Sequence, residues 1–133
     1  VVDDVGVLRM TLPVETKSET NMRDWKAKSR RSGQAWRITR LTANIRMLAT
    51  FEEHYRAGGV VQAVFTRLGG KRIDSMSNLG ASMKGVEDAV AFLVGANDGS
   101  DQWQATAAQE VYSPQLGNNQ IGVRVELRCI PKE

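Results

Sequence analysis

A stretch near the middle of the chain, from Lys71 to Asp101, reads KRIDSMSNLGASMKGVEDAVAFLVGANDGSD. Apolar residues recur in it at intervals of four, three, four and three, which places them on one face of a helix. They are Leu79, Met83, Val86, Val90 and Leu93. Gly95 follows this pattern and predicts the end of the helix. The stretch therefore predicts an amphipathic helix over residues 79–94 with a polar loop at each end.

Acidic and amide side chains occur in both of these loops. Asp74 precedes the helix, and Asn97 and Asp98 follow it. Lys84 lies four residues before Asp88, so the two side chains are expected to be neighbours on the helix surface. If the ends of neighbouring strands bring the two loops together, oxygen ligands converge beside a cation, as in a magnesium site. Taken alone, each loop is at least as typical of a helix cap or a turn.

The rest of the chain supplies strands around two main helices. We expect strands over residues 6–12, 60–68, 102–112 and 120–130, and helices over about 22–55 and 79–94. The second strand is an almost continuous apolar run, which is typical of a central strand covered on both faces. Pro114 and Gly117 predict a hairpin between the last two strands. The order β-α-β-α-β-β predicts one α+β domain over residues 1–133, built on a small mixed β-sheet.

Composition places the chain among soluble globular proteins. It has 133 residues, of which 25% are charged and 41% hydrophobic. No apolar run approaches the ~20 residues that cross a membrane, and no secretory signal opens the sequence, so we expect no membrane partner. The single cysteine, Cys129, falls in an alternating apolar run, which predicts a buried strand residue and fits the reducing cytoplasm. The single histidine, His54, excludes a His-based metal cluster or catalytic triad and is expected to be a surface or capping residue.

Charge is unevenly distributed along the chain. Residues 1–72 contain fourteen Lys and Arg against seven acidic residues, whereas residues 73–133 contain four against eight. Such asymmetry favours a basic half that faces a polyanion and an acidic half that faces a metal ion. In the predicted first helix the basic residues are interleaved with Trp25 and Trp36, which favours contact with a nucleic-acid backbone. The alternatives are a solvated basic helix and tryptophans that anchor the core.

Several short motifs occur in a characteristic order. Lys71-Arg72-Ile73-Asp74 with Asn78-Leu79 is similar to R-x-L-D-x-D-N-L, Lys84 with Asp88 to K-x-x-x-D, and residues 93–99, LVGANDG, to L-G-V-D-D-G-D. The opening pattern P-x-K-S-x-x-N-x-R-x-H-W is similar to the set Pro13, Lys17-Ser18, Asn21, Arg23 and Trp25. The predicted strand from Gly122 to Leu127 is similar to the last strand of the family named below. Over roughly residues 8–128 the chain resembles the RusA-like crossover junction endodeoxyribonucleases, the Holliday junction resolvases of phages and prophages.

The resemblance implies a magnesium-dependent endonuclease that acts on branched DNA in recombination and repair, as a homodimer in the cytoplasm of a bacterial host. It implies Asp74 and Asp98 as catalytic metal ligands, Lys84 as the catalytic cation at the phosphate, and Asp88 as a metal ligand or a partner of Lys84. Weak neutral oxygen donors adjoin this site: Ser75, Ser77, Asn78 and Asn97. The implied DNA-binding residues are Lys17, Arg23, Lys26, Arg30, Arg37, Arg40, Lys71 and Arg72.

The chain also departs from the family pattern. Aligned without gaps, the two loop aspartates of the family fall on Ser75 and Ser77, and only a shifted register lets Asp74 replace one of them. Asn97 stands at the first of the paired aspartates after the helix, and Asp24 stands where the family has a histidine before Trp25. Fewer carboxylates mean less charge to hold Mg²⁺. The departures favour an alternative, a RusA-like protein that binds branched or duplex DNA without cutting it, or a phage structural or assembly protein.

Overall fold

The computed structural model describes residues 7–13, 33–34, 36–37, 39, 45–69, 73, 75–97, 99–111 and 122–130. Its elements are β1 (Val7–Leu12), α1 (Ile45–Arg56), β2 (Val60–Gly69), α2 (Met76–Ser82), α3 (Lys84–Val94), β3 (Trp103–Val111) and β4 (Gly122–Ile130). The predicted α+β class is confirmed, and the four strands agree with the predicted ranges to within two residues. No helix in the described ranges is long and apolar enough to cross a membrane.

The sheet has the strand order β1-β4-β2-β3. β2 and β3 are parallel, and β4 runs antiparallel to both β1 and β2. The predicted hairpin between the last two strands is therefore wrong, because β2 lies between β3 and β4. Helices α2 and α3 form the crossover that two adjacent parallel strands require. β4 takes the other side of β2, where Val123, Val125 and Leu127 become fully buried.

Helices α1, α2 and α3 pack on one face of this sheet. Residues in register across the strands form layers on that face, such as Leu8, Leu127, Ala63 and Ala105. Leu48 and Phe51 of α1 and Val86 and Val90 of α3 are at most 1% exposed and complete the core. Burying a large apolar side chain contributes about 1.5–3 kcal/mol, so this face supplies most of the stability.

The opposite face of the sheet is only partly covered. On β2, Gln62 is exposed and Val64 is half-buried, whereas Thr66 and Leu68 are 4% and 2% exposed. The prediction that β2 is central is confirmed, and the prediction that both of its faces are covered holds only for its carboxyl half. Across the middle of this open face, Glu126 contacts Arg9 at 3.5 Å and Arg124 at 3.2 Å.

The predicted apolar face of residues 79–94 is buried, as expected, but the segment forms two helices, α2 and α3, rather than one. The hydroxyl of Ser82 donates to the Leu79 carbonyl at 2.7 Å, and the N–H of Met83 bonds to the Gly80 carbonyl, three residues back. Both bonds compete with the regular helical pattern and separate α2 from α3. Gly95 ends α3 with φ of 79°, the left-handed conformation that a terminal glycine adopts without strain.

The carboxyl end of α1 is fixed by His54. Its half-buried imidazole Nε2 lies 2.7 Å from the Ile130 carbonyl and 3.1 Å from the Val60 carbonyl. Because both partners are acceptors, Nε2 carries the proton and donates to both. His54 thus ties α1 to β2 and β4, and its prediction as a surface or capping residue is wrong. Cys129 on β4 is half-buried rather than fully buried.

Candidate functional site

Lys84 and Asp88 lie on the solvent side of α3, as predicted. Lys84 Nζ is 3.1 Å from Asp88 Oδ1, and the two side chains are 48% and 46% exposed. One turn further along, Phe92 continues the same stripe, and Trp36 packs against it with ring centroids 5.7 Å apart. Exposed pairs of this spacing contribute about 0.2–0.5 kcal/mol, so Lys84 can exchange its carboxylate partner for a phosphate at little cost.

The loop that contains Asp74 is fixed to the carboxyl end of β3. The Gln109 side chain accepts a hydrogen bond from Ile73 N–H at 2.9 Å and donates one to the Ile73 carbonyl at 2.7 Å. Ile73 is buried, and α2 follows at once, since the Leu79 amide bonds to the Ser75 carbonyl. The residues on either side of Asp74 therefore lie where β2 and β3 end.

The loop that contains Asn97 lies at the other end of the same strands. The backbone N–H of Asn97 donates to the Tyr55 hydroxyl at 3.1 Å. Gln102 Nε2 donates to the Tyr55 carbonyl at 2.9 Å and the Gly59 carbonyl at 3.0 Å, and its own carbonyl accepts from Val61 N–H at 2.8 Å. Residues 97–102 are thus attached to the end of α1 and the beginning of β2.

The two loops do not meet within one chain. Gln109, which holds Ile73, is six residues from Trp103 on β3, and at about 3.3 Å per residue the separation along the strand is about 20 Å. The expectation that the loops converge is therefore wrong for the described neighbours of Asp74 and Asp98. The cause is topological, because parallel strands joined by a helical crossover place the loops before and after the helices at opposite ends of the sheet.

Arg67 is a buried cation that the sequence reasoning missed. It lies on the helix-covered face of β2, in register with Gln109 of β3 and Val123 of β4, and is 9% exposed. Desolvation by burial lowers the pKa of its guanidinium. The available signal was its parity, because Arg67 follows Phe65 at the spacing of two that keeps strand residues on one face. A buried cation therefore lies at the carboxyl end of β2, close to the loop of Ile73.

The remaining predicted residues divide into two groups. Arg37 is helical and exposed, Ser75 is half-buried, and Asn97 is exposed. Ser77 and Asn78 lie in α2. The rest fall outside the described residues: Asp74, Asp98, Lys17, Arg23, Lys26, Arg30, Arg40, Lys71 and Arg72.

The structure places the ion pair of Lys84 and Asp88 on the same helix as Phe92, which contacts Trp36. Separately, it places the buried Arg67 in register with Gln109, which is hydrogen-bonded to Ile73. Within the described ranges, no three or more His, Cys, Asp or Glu side chains form a group that could hold a metal ion. No protein-family model and no curated protein sequence matches the chain.

Proposed function

We propose that this protein is a RusA-like endonuclease that binds branched DNA and cleaves it with Mg²⁺, as a homodimer in a bacterial cell that carries a phage or prophage. The order of motifs over residues 8–128 supports the family. Among the described contacts, the exposed pair of Lys84 and Asp88 supports it most, because these residues match the helix motif K-x-x-x-D and face solvent. A junction of DNA strands is bulky, so it can reach side chains only on an open surface.

Lys84 has a defined part in this proposal. Hydrolysis of a phosphodiester forms a bond from a water oxygen to phosphorus and breaks the bond to the leaving oxygen, with negative charge accumulating on the phosphoryl oxygens. The ammonium of Lys84 offsets that charge, and Asp88 holds the ammonium in place until DNA arrives. Mg²⁺ would lower the pKa of the attacking water and polarise the phosphate, with Asp74 or Asp98 as a ligand, since the loops that contain them lie apart within one chain.

The DNA-binding surface adjoins the same helix. Arg37 is exposed on the helical segment that places Trp36 against Phe92, and Phe92 is 60% exposed. Cations bind phosphates irrespective of sequence, and an exposed aromatic ring offers a stacking surface to an unpaired base. When the branch point of a junction opens, the bases there lose stacking partners, so an exposed aromatic ring favours branched DNA over a regular duplex.

A second candidate is a protein that binds branched DNA without cutting it. The separation of about 20 Å between the loops of Ile73 and Asn97 favours it, because one Mg²⁺ ion cannot join ligands so far apart in a single chain. Ser75 and Ser77, which stand where the family has aspartates, act in the same direction.

Incubation with a synthetic four-way junction, with and without Mg²⁺, separates the two candidates. For a nuclease we expect symmetrical nicks that require Mg²⁺ and that Lys84→Gln reduces at least tenfold. Arg128→Gln is the matched control, because Arg128 is exposed on the sheet face away from the helices. Junction binding without nicks, weakened by Lys84→Gln but not by Arg128→Gln, indicates the binding protein. Absence of junction binding refutes both.

A further inference from the structure

The two edges of the sheet differ in how they are protected. β1 is six residues long, carries Arg9 and is followed by Pro13. A short strand, a charge and a proline are common means of keeping another strand away from an edge. β3 is nine residues long and contains no proline, lysine or arginine. In the described part of the chain it pairs with β2 alone, so its outer side can accept a further strand.

The backbone groups along this outer side are regularly spaced. The Gln102 carbonyl accepts from Val61 N–H on β2, so the backbone groups of alternate β3 residues face β2 and the others face away. Those of Ala105 and Ala107 face away, and the side chains of these two residues lie on the helix-covered face. A strand added here would bond to Ala105 and Ala107, and the side chains opposite them would be directed towards the helices.

A cleft of about 170 Å³ lies beside the edge at this same level. On the sheet side it is lined by Phe65, Ala105 and Ala107, and on the helix side by Gly80 and Met83. A Cβ atom added to Gly80 would meet nothing within 4 Å, so the glycine and the two alanines leave this space open. The cleft therefore has the position and the apolar lining that the inward side chains of an added strand require.

The charged residues of β3, of the cleft and of the turn before β3 are all acidic in the described ranges. Glu87 lines the cleft, Asp101 is exposed just before β3, and Glu110 is exposed near its end. Glu110 forms an ion pair with Arg124 of the same chain. An acidic edge repels DNA and favours a partner strand that carries lysine or arginine.

We propose that the β3 edge binds an extended, basic segment of another protein, which adds to the sheet as a strand beside β3. Main-chain hydrogen bonds supply affinity in such binding, and pockets for alternate side chains supply specificity. The segment carries aliphatic side chains at two alternate positions, which enter the cleft beside Ala105 and Ala107. Lysine or arginine at its two ends lies near Glu110 and Asp101. This interaction does not depend on the nuclease or DNA-binding function.

Fluorescence anisotropy with a designed peptide tests the proposal. The probe is fluorescein-labelled K-T-T-V-T-V-T-K, whose two valines lie opposite Ala107 and Ala105 when it pairs antiparallel with β3. We expect a micromolar dissociation constant. Binding should be at least tenfold weaker when both valines are N-methylated, since two main-chain donors are lost, and at least threefold weaker when both lysines are replaced by glutamate. No measurable binding, or equal binding of the N-methylated peptide, overturns the proposal.

Matched threonine variants locate the bound peptide. Thr106 and Thr11 are both exposed on the open sheet face, on β3 and β1 respectively. Thr106→Lys should weaken binding of the basic peptide at least threefold and Thr106→Glu should strengthen it, because charges within a Debye length interact. The same two changes at Thr11 should leave binding unchanged. Equal effects at the two positions contradict binding at the β3 edge.

Two further variants test the hydrogen bonds and the cleft separately. Ala107→Pro deletes one outward N–H and leaves the bonds of β3 to β2 in place, because an edge strand tolerates proline where its N–H faces solvent. Gly80→Leu fills the cleft from the helix side and leaves the β3 backbone unaltered. Each should weaken peptide binding at least tenfold with an unchanged circular dichroism spectrum. A folded variant of either kind that binds as tightly as the original protein overturns the proposal.

A second copy of this chain is the alternative occupant of the edge. Light scattering with and without saturating peptide separates the two occupants. We expect the same number of chains per particle in both samples, together with slower hydrogen exchange at the amides of Ala105 and Ala107 when the peptide is present. A particle mass that halves on addition of peptide would show that a second copy already occupies the β3 edge, and would overturn the proposal.

Discussion

Replacing Gly59 by alanine is expected to lower stability by displacing the side chain of His54. A Cβ atom at this position would lie 2.6 Å from Cδ2 of His54 and closer still to Nε2. Carbon atoms pack at about 3.5–4.0 Å, so the imidazole must leave its place. It then loses its hydrogen bonds to the carbonyls of Val60 and Ile130.

The magnitude follows from those two bonds. A hydrogen bond contributes a net ~0.5–1.5 kcal/mol, and a buried acceptor left without a donor costs more. The free energy of unfolding should therefore fall by about 2–3 kcal/mol in Gly59→Ala. Urea denaturation followed by circular dichroism measures this directly.

Two comparisons make the experiment specific. Gly33 is helical and a Cβ atom added there would meet nothing within 4 Å, so Gly33→Ala should stabilise by up to ~1 kcal/mol through helix propensity. In a His54→Ala background the steric conflict is gone, and Gly59→Ala should then cost less than half as much. A Gly59→Ala protein as stable as the original, or an equal loss in both backgrounds, would refute the assignment of His54 as the tie between α1 and the sheet.

Three further outcomes are expected. Gly122→Ala places a Cβ 2.6 Å from the Leu12 carbonyl, so the melting temperature should fall as β1 separates from β4; an unchanged value contradicts the close approach. Gln109→Ala removes both bonds to Ile73 and should lower stability by about 1–3 kcal/mol, with faster hydrogen exchange at the Ile73 amide than in the original. Burial raises the pKa of the Cys129 thiol, so its reaction with a thiol reagent at pH 8 should be slower than in the urea-unfolded chain. Because that pKa is higher in the folded state, the stability linked to this thiol is present below about pH 9 and is lost as the pH rises further; equal reaction rates would contradict its burial.

The spacing of apolar residues predicted which strands and helices form and which of their faces are buried. The alternation of Val123, Val125 and Leu127 gave β4, and the spacing of Leu79, Met83, Val86 and Val90 gave the buried face of α2 and α3. These periodicities report which side of an element is buried, and that is decided by the residues themselves.

Strand order and the position of the loops could not be obtained in the same way. The turn residues in the sequence of residues 113–119 are compatible with a hairpin between β3 and β4 or with a connection that places β4 on the other side of β2. Which of the two forms depends on which strands pair with β2, and the local sequence does not specify that pairing. The separation of Ile73 from Asn97 follows from β2 and β3 being parallel, which no motif in either loop encodes. Arg67 is buried although it is charged, because it shares the helix-covered face of β2 with Phe65. His54 is half-buried because its imidazole reaches the carbonyls of Val60 and Ile130, contacts that its position near the end of a helix does not predict.

Competitive binding of a four-way junction against linear duplex of the same sequence tests the central proposal most directly. The labelled junction is titrated with protein in Ca²⁺ or EDTA, which prevents cleavage, and excess unlabelled duplex is then added. A RusA-like junction protein should retain the junction under a large excess of duplex, and its affinity should fall steeply as salt rises, because phosphate contacts release counterions. Equal affinity for the two DNAs, or no binding to either, would contradict the account.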